Sequence, residues 1–450
     1  MAIKLREHVL GNEADIDGLQ LTENMSNFIN SLSPEISQVL DKISSSGGGV
    51  WIVGGAVRDA AMGLSPSDID LATDLLPGKL LEIFPNAIET GVAFGTVTLK
   101  TNSFLLQTTT LRTDGEYNDG RRPDSVEWKL SLYEDLKRRD FTINSMAIDV
   151  ARRAYYDPNN GMADLESRTI RCVGNPVKRI NEDALRILRA YRFQGQIELM
   201  DWELENNLSI AIRDYSFLID DLSKERVWQE LSKILGSEKA HEILINMLED
   251  GVLNVVFNWG KRSNNKLTSA LRAGLKIDAA ATFVLLNYQL DLPDLKNMCK
   301  RLKLSNAEIK EILHTSKIAR KIPETNTGYL RLYRYLAGER WGQIIRLARI
   351  FCQFNMESNF HSIEPDYLAK IEIALYKLPI LTHNHQLVDG NWIMSSTKLT
   401  QGEKLGRLKE WLFRLQIEND LQDVSEINAY LATIQWQNSD FTLWPKLALD

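Results

Sequence analysis

Val50-Trp51-Ile52-Val53-Gly54-Gly55-Ala56-Val57-Arg58-Asp59 reads as a short apolar strand, a two-glycine turn and the first turn of a helix. The helical pattern runs from Ala56 to Met62 and is broken by Gly63 and Pro66. Upstream, Pro34 to Ile43 has helical spacing and Ser44 to Gly49 makes a turn. The first 30 residues are polar and acidic without a clear period, so residues 1–33 are expected to be an extension of weak order. Downstream, Thr96–Lys100 and Phe104–Leu111 are rich in Thr, Val and Leu and predict a hairpin around Thr101-Asn102-Ser103. Asp114 to Asp124 is a loop rich in glycine and charge. Residues 34–173 therefore read as one compact α/β unit.

From Asn181 onward strand signals nearly vanish. Helices are predicted over Glu182–Ile197, Lys224–Leu235, His241–Leu248, Ala307–Ile318, Tyr329–Phe354 and Gly402–Ile417. In the last, Leu405, Leu408, Trp411, Leu412 and Leu415 share a face. The expected architecture is an α/β head followed by an all-helical remainder.

The 450 residues, 44% apolar and 25% charged, suit a multidomain globular protein. No apolar run is long enough to span a bilayer, and the early acidic residues Glu7, Glu13, Asp15 and Asp17 give no sign of a signal or transit peptide. A cytoplasmic protein without a membrane partner is expected. Three cysteines without a CxxC pair fit reduced thiols and speak against a zinc site. The net charge of −7 hides a segregation: residues 296–349 carry +9 and residues 121–192 carry +4. Two basic tracts in an acidic chain point to a localised surface for a polyanion, although solvated helix faces would give the later tract equally well.

Four segments carry chemistry. At Gly54-Gly55, bare backbone ahead of a helix lets phosphate approach peptide N–H groups, and Arg58 adds a charged fork. Alone, such a pair is more often a plain turn. Asp68 and Asp70 alternate on a probable strand, so both carboxylates face one side, an arrangement that a divalent cation relieves. Arg138-Arg139-Asp140 is expected to open a helix through Ala147, with Arg139 gripping a phosphate and Asp140 and Asn144 serving ribose hydroxyls. A local Arg–Asp pair at a helix start is the plainer alternative. Asp183, Arg186, Arg189 and Arg192 recur every third residue and predict a polar stripe on one helix. An aspartate accepts from an exocyclic amine and an arginine donates to a ring acceptor. One such pair admits cytosine and adenine and rejects uracil and guanine. Together the segments supply what is needed to move a nucleoside monophosphate from a triphosphate to a hydroxyl.

In order and spacing, these segments resemble the class II tRNA nucleotidyltransferases, the CCA-adding enzymes, and the related bacterial poly(A) polymerases. The resemblance extends through Gly91, Gly95-Thr96-Val97, Asp157-Pro158, Gly161, Asp164-Leu165 and Leu222-Ser223-Lys224-Glu225-Arg226. It implies a nucleotidyltransferase head of the DNA polymerase beta-like type (34–173), an all-α neck that recognises the base (174–265), and a helical body and tail that bind tRNA (266–450). It implies Asp68 and Asp70 as Mg²⁺ ligands and, with Arg139, as the catalytic set. Gly55, Arg58, Arg139, Asp140 and Asn144 would contact the nucleotide, Asp183 and Arg186 would read the base, and Arg189 and Arg192 would lie near triphosphate or primer. The expected partners are CTP, ATP and a tRNA lacking all or part of its 3′ CCA end, with no DNA.

The sequence departs from that family at Gln107, where a third acidic residue is usual; two carboxylates alone imply weaker metal affinity. The segment Asp114–Pro123 resembles the flexible loop that members need for adding A. No histidine is followed by aspartate, so an HD-type phosphohydrolase module is not expected, and His383-Asn384-His385 reads as a surface loop. An enzyme adding only A, a poly(A) polymerase and a non-catalytic RNA-binding relative are the alternatives to CCA addition.

Overall fold

The structure is a computed structural model describing residues 7–92, 95–114, 126–127, 130–197, 201–260, 264–274, 276–361, 363–378 and 385–449. The chain divides into two compact units, Met1–Gly260 and Lys261–Asp450. The elements of the first are, in order, β1 (Leu19–Gln20), α1 (Glu23–Asn30), α2 (Pro34–Ser45), β2 (Val50–Val53), α3 (Gly55–Ala61), β3 (Asp70–Thr73), α4 (Pro77–Ile83), β4 (Ile88–Gly91), β5 (Thr96–Lys100) and β6 (Leu105–Thr110). The short strands β7 (Thr113–Asp114) and β8 (Val126–Glu127) precede α5 (Leu132–Lys137), β9 (Ala147–Asp149), β10 (Ala154–Tyr156), α6 (Gly161–Glu166) and β11 (Thr169–Ile170). Helices α7 (Pro176–Glu182) and α8 (Leu185–Gln196), strand β12 (Glu203–Leu204), and helices α9 (Asn206–Tyr215), α10 (Lys224–Leu235), α11 (Ala240–Glu249) and α12 (Val252–Val256) complete the unit.

Eight strands form one sheet in the order β1-β10-β9-β2-β3-β6-β5-β4. Within this sheet, among the described residues, only the β3–β6 pair is parallel; β11 and β12 form a separate parallel pair. β2 lies at the centre, which explains its unbroken apolar run: a strand buried on both faces has no polar alternation. Ile52 pairs with Leu71 and Ile148, all buried on one side. Trp51, Val53, Ala72, Ala147 and Tyr156 pack on the other against Leu132 and Leu136 of α5. By strand alternation Asp70 belongs to this second face.

The expected hairpin and the strand Val50–Val53 are present. Four expectations need correction. First, residues 7–33 are not without regular structure. β1 adds to the sheet beside β10, and α1, capped by Thr22, buries Met25 and Ile29. Two apolar residues four apart are too sparse a period to announce a helix.

Second, Arg138–Ala147 is not helical. Helix α5 ends at Lys137, Phe141 is extended, and a single 3₁₀ turn (Thr142–Asn144) leads into β9. The pull of the sheet overrides helical spacing here, since β9 fills the place between β2 and β10. Third, Glu182–Ile197 is broken: Asp183 is extended and ends α7, and its carboxylate accepts from the Leu185 N–H at the start of α8 at 3.1 Å. The polar stripe on α8 therefore begins at Arg186.

Fourth, β3 begins at Asp70, so Asp68 lies on the exposed approach to the strand rather than within it.

The second unit is helical: α13 (Asn265–Arg272), α14 (Ala279–Leu286), α15 (Leu292–Arg301), α16 (Asn306–Ala319), α17 (Thr327–Ala337), α18 (Trp341–Gln353), α19 (Pro365–Lys377), α20 (Gly390–Thr397), α21 (Glu403–Asn419) and α22 (Val424–Thr433). The expected single helix over Tyr329–Phe354 is interrupted at Gly338, whose φ of 65° is left-handed. Helix α14 is buried from Ala281 through Leu286, as a helix apolar on every side must be. Leu405, Leu408 and Leu412 of α21 join Ile393, Ile427 and Trp444 in a core of their own. No helix among the described residues is long and apolar enough to cross a membrane.

Candidate active site

The site is built at the end of β2, where the chain leaves the sheet. Gly54 caps α3 with φ 73°, a conformation that disfavours a side chain, and a Cβ there would lie 3.1 Å from Nη1 of Arg139. Its carbonyl accepts from the Val57 and Arg58 N–H groups, closing the turn. Gly55 is the first helical residue, beside the Arg58 guanidinium. Arg139 follows α5 and donates through Nη2 to the buried Asp135 at 3.1 Å, while its Nε is buried without a partner. Burial alone would raise the Asp135 pKa, but Arg138 and Arg139 outweigh it and hold the carboxyl below its usual range.

Asp70 is in the opposite condition. Crowding of its carboxylate by protein atoms raises its pKa; Arg139 opposes this and Asp68 adds to it. The residue still shows more than a third of its surface, and no hydrogen bond or ion pair closes on it among the described residues. One step beyond the paired residues Leu71 and Thr108, Gln107 of β6 falls beside Asp70 on the same face, and it is exposed. No group of three or more His, Cys, Asp or Glu able to hold a metal occurs among the described residues. Two carboxylates, one of them uncompensated, beside an amide oxygen make a hard, incomplete oxygen set. That donor set fits a small divalent cation that retains water and takes further oxygens from phosphate.

A connected polar network lies behind this edge. Arg58 donates to Asp59 at 2.7 Å and to Asn144 Oδ1 at 2.8 Å; Asn144 donates to Asp140 at 3.3 Å. Asp140 accepts from the Phe141 N–H and from both Nε and Nη2 of Arg189. Burial would raise the Asp140 carboxyl, but Arg189 outweighs it and holds it down to about 2. Glu230 of α10 receives Arg192 at 3.1 Å and lies 3.9 Å from Arg189. Arg58, Arg189 and Arg192 stand 5.5, 5.4 and 4.4 Å from the Phe193 ring, and Phe141 meets that ring edge-on at 5.6 Å. Three guanidinium groups around one aromatic ring make a cationic cluster suited to a polyphosphate. Burial and the neighbouring Arg189 lower the Arg192 pKa, and Glu230 and Asp140 oppose them only in part.

Asp183 and Arg186 share the start of α8 but do not bond through their side chains. Asp183 accepts from Arg226 of α10 at 2.6 Å. The buried Arg186 donates Nη1 to the Arg179 carbonyl at 2.5 Å and to Glu182 at 3.0 Å, and its other guanidinium N–H groups carry no hydrogen bond among the described residues. The structure thus brings Arg58, Asp140, Asn144, Arg189 and Arg192 into one network and Arg139 against the glycine turn. The sequence assigns no role to Asp135, Glu182, Phe193 and Glu230, and Arg226 enters it only within the segment Leu222–Arg226 of the resemblance. The i, i+4 spacing of Arg226 and Glu230 was the available signal for two of them. Residues 115–123 of the expected loop, and His383 and Asn384, lie outside the described residues.

This architecture is that of a nucleotidyltransferase: a "Poly A polymerase head domain" model matches residues 50–171. A "Probable RNA and SrmB- binding site of polymerase A" model matches residues 201–258, and a tRNA nucleotidyltransferase domain 2 model matches residues 276–429. The CCA-adding enzyme of Streptococcus suis (strain 05ZYH33) is 32% identical over 88% of this chain and 97% of its own length. That of Geobacillus sp. (strain WCH70) is 34% identical over 79% of this chain and 85% of its own. Among solved structures, the Bacillus stearothermophilus CCA-adding enzyme in complex with CTP superposes with a TM-score of 0.70 at 26% identity, covering 89% of this chain and 98% of that one. The Thermotoga maritima CCA-adding enzyme complexed with tRNA shares the fold at TM-score 0.64 and 20% identity, covering 92% and 100%. The chain belongs to the family of CCA-adding enzymes.

Proposed function

We propose that this enzyme adds C, C and A to the 3′ end of a tRNA lacking all or part of that sequence. It uses CTP and ATP and no nucleic-acid template, and it acts in the cytoplasm. The observation that carries this reading is the pairing of an acidic edge, Asp68 with the uncompensated Asp70, with a glycine turn flanked by Arg58 and Arg139. In this reading the triphosphate lies along that turn, where Gly55 lets it approach and Arg58, Arg139, Arg189 and Arg192 balance its charge. Asp140 and Asn144 orient Arg189 and Arg58 and offer their remaining acceptor and donor capacity to the ribose. Asp183 and Arg186 read the pairing edge: carboxylate to exocyclic amine, guanidinium to ring acceptor.

Asp68 and Asp70 would hold Mg²⁺, with Gln107 contributing at most a neutral oxygen. A divalent ion there would make the primer 3′-hydroxyl a better nucleophile and stabilise the departing pyrophosphate. The chain's own contribution is in-line placement of that hydroxyl against the α-phosphorus and neutralisation of the phosphates. The division of labour that follows is a catalytic head over 34–173, a base-reading neck over 174–265 and a tRNA-binding body and tail over 266–450.

The test is incubation with tRNA lacking its CCA end and each labelled nucleotide, alone and together. Successive C, C and A incorporation is expected. Incorporation of A alone would assign an A-adding enzyme, long A tracts on any RNA a poly(A) polymerase, and no incorporation a binding protein.

A further inference from the structure

We propose that Arg179 is a positioning residue that aims the Arg186 guanidinium and ties that aim to the head segment carrying Arg139. The inference rests on the reading of Arg186 as a base-recognising group. Arg179 lies in α7, and its fork reaches three acceptors in three directions. Nε donates to the Val173 carbonyl at 2.9 Å, Nη1 to Glu182 Oε2 at 2.7 Å, and Nη2 to the Lys137 carbonyl. Lys137 is the last residue of α5, directly before Arg138 and Arg139. Its carbonyl is one of those a helix leaves without an internal partner, and a cation suits that end of the helix dipole.

The same residue governs Arg186 from the other side. Arg186 Nη1 is held by two acceptors: the Arg179 backbone carbonyl at 2.5 Å and the Glu182 oxygen that Arg179 itself grips, at 3.0 Å. With one nitrogen of a planar group fixed twice, the plane is fixed, and so are the directions of its remaining N–H groups. A donor that must meet a ring nitrogen or carbonyl edge-on depends on that direction to within about 10–20°. A single residue, through its backbone carbonyl and through the Glu182 carboxylate its side chain grips, therefore sets the base-reading donor relative to the end of α5. A lysine in its place keeps the charge but presents one nitrogen, and cannot serve three divergent acceptors.

The experiment measures kcat/KM for CTP, ATP, UTP and GTP on tRNA primers ending before C and before A, with the full-length enzyme and its R179K, E182Q and R186K variants. In R179K, the preference for CTP and ATP over UTP and GTP is expected to narrow by roughly tenfold, with KM for pyrophosphate in the reverse reaction unchanged. E182Q, which keeps the side-chain shape, is expected to narrow the preference in the same way and carries the test if R179K does not fold. In the double variant the two effects should not add. An equal loss for all four nucleotides, or no change in preference, overturns the proposal and leaves Arg179 a structural tie. If R186K itself leaves the preference intact, the base-reading role of Arg186 fails and the inference falls with it. A narrowed preference in R186K alone removes only the role of Arg179.

Discussion

Asp70 and Asp140 are the same residue type on neighbouring parts of one unit, and their surroundings drive them in opposite directions. Asp140 is enclosed by Arg189 and the Phe141 N–H and is held at about 2. Asp70, at the start of β3, is crowded, meets Asp68 and has only the field of Arg139 in its favour, so its pKa is raised. The compensated carboxylate is part of the framework. The uncompensated one carries a cost that a bound cation would remove. The difference separates a residue that holds the fold from one held ready for chemistry, a distinction that residue type alone cannot make.

The sharpest way to break the contrast is to neutralise each carboxylate in turn. Asp70→Asn should lower kcat by roughly 10³-fold or more while thermal stability stays level or rises, because an unfavourable charge is removed. Primer extension and calorimetry on the same sample decide it, and a stability loss would place Asp70 in the framework instead. Asp140→Asn, in contrast, should destabilise the protein by about 3 kcal/mol because Arg189 loses its buried partner, as read by denaturant unfolding.

Acid titration sharpens the comparison further. A carboxyl depressed to about 2 from an ordinary 3.8 contributes stability that is fully present above its unfolded value and is lost as pH falls through the folded one. That contribution is about 2 kcal/mol, and the acid limb of the stability curve should flatten by that amount in Asp140→Asn. For Asp70 the sign is opposite. A raised pKa means that divalent-metal affinity, measured by isothermal calorimetry, should begin to fall at a higher pH than an ordinary aspartate would give. The smallest expected effect is that of Gln107→Glu, which places a third carboxylate beside Asp70 and should tighten Mg²⁺ binding several-fold. Unchanged affinity would mean that Gln107 costs the site nothing.

Much of the head was legible because its signals are local. The buried strand Val50–Val53, the glycine turn and the Thr-rich hairpin are each specified within a few residues by period and by φ. The failures also have physical causes. Arg138–Ala147 has helical spacing, yet β9 is claimed by the sheet, a partner distant in sequence. The unbroken helix expected over Glu182–Ile197 gives way at Asp183, whose carboxylate is taken up by the Leu185 N–H and by Arg226. Residues 19–30 looked featureless because two buried side chains and an edge strand leave little period to read.

The order of the chemistry is written along the chain: glycine turn, acidic pair, arginine-rich segment and Asp–Arg pair, on an α/β head with helices behind it. Which charges are satisfied is settled by packing. Asp140 is neutralised by Arg189, 49 residues away, and Asp183 by Arg226, 43 residues away, whereas Asp70 is left without a hydrogen-bonded partner among the described residues. Turns and strands follow from the torsional preferences of adjacent residues. Electrostatic compensation depends on how α8 lies against the head and α10, a matter of packing that no local window contains.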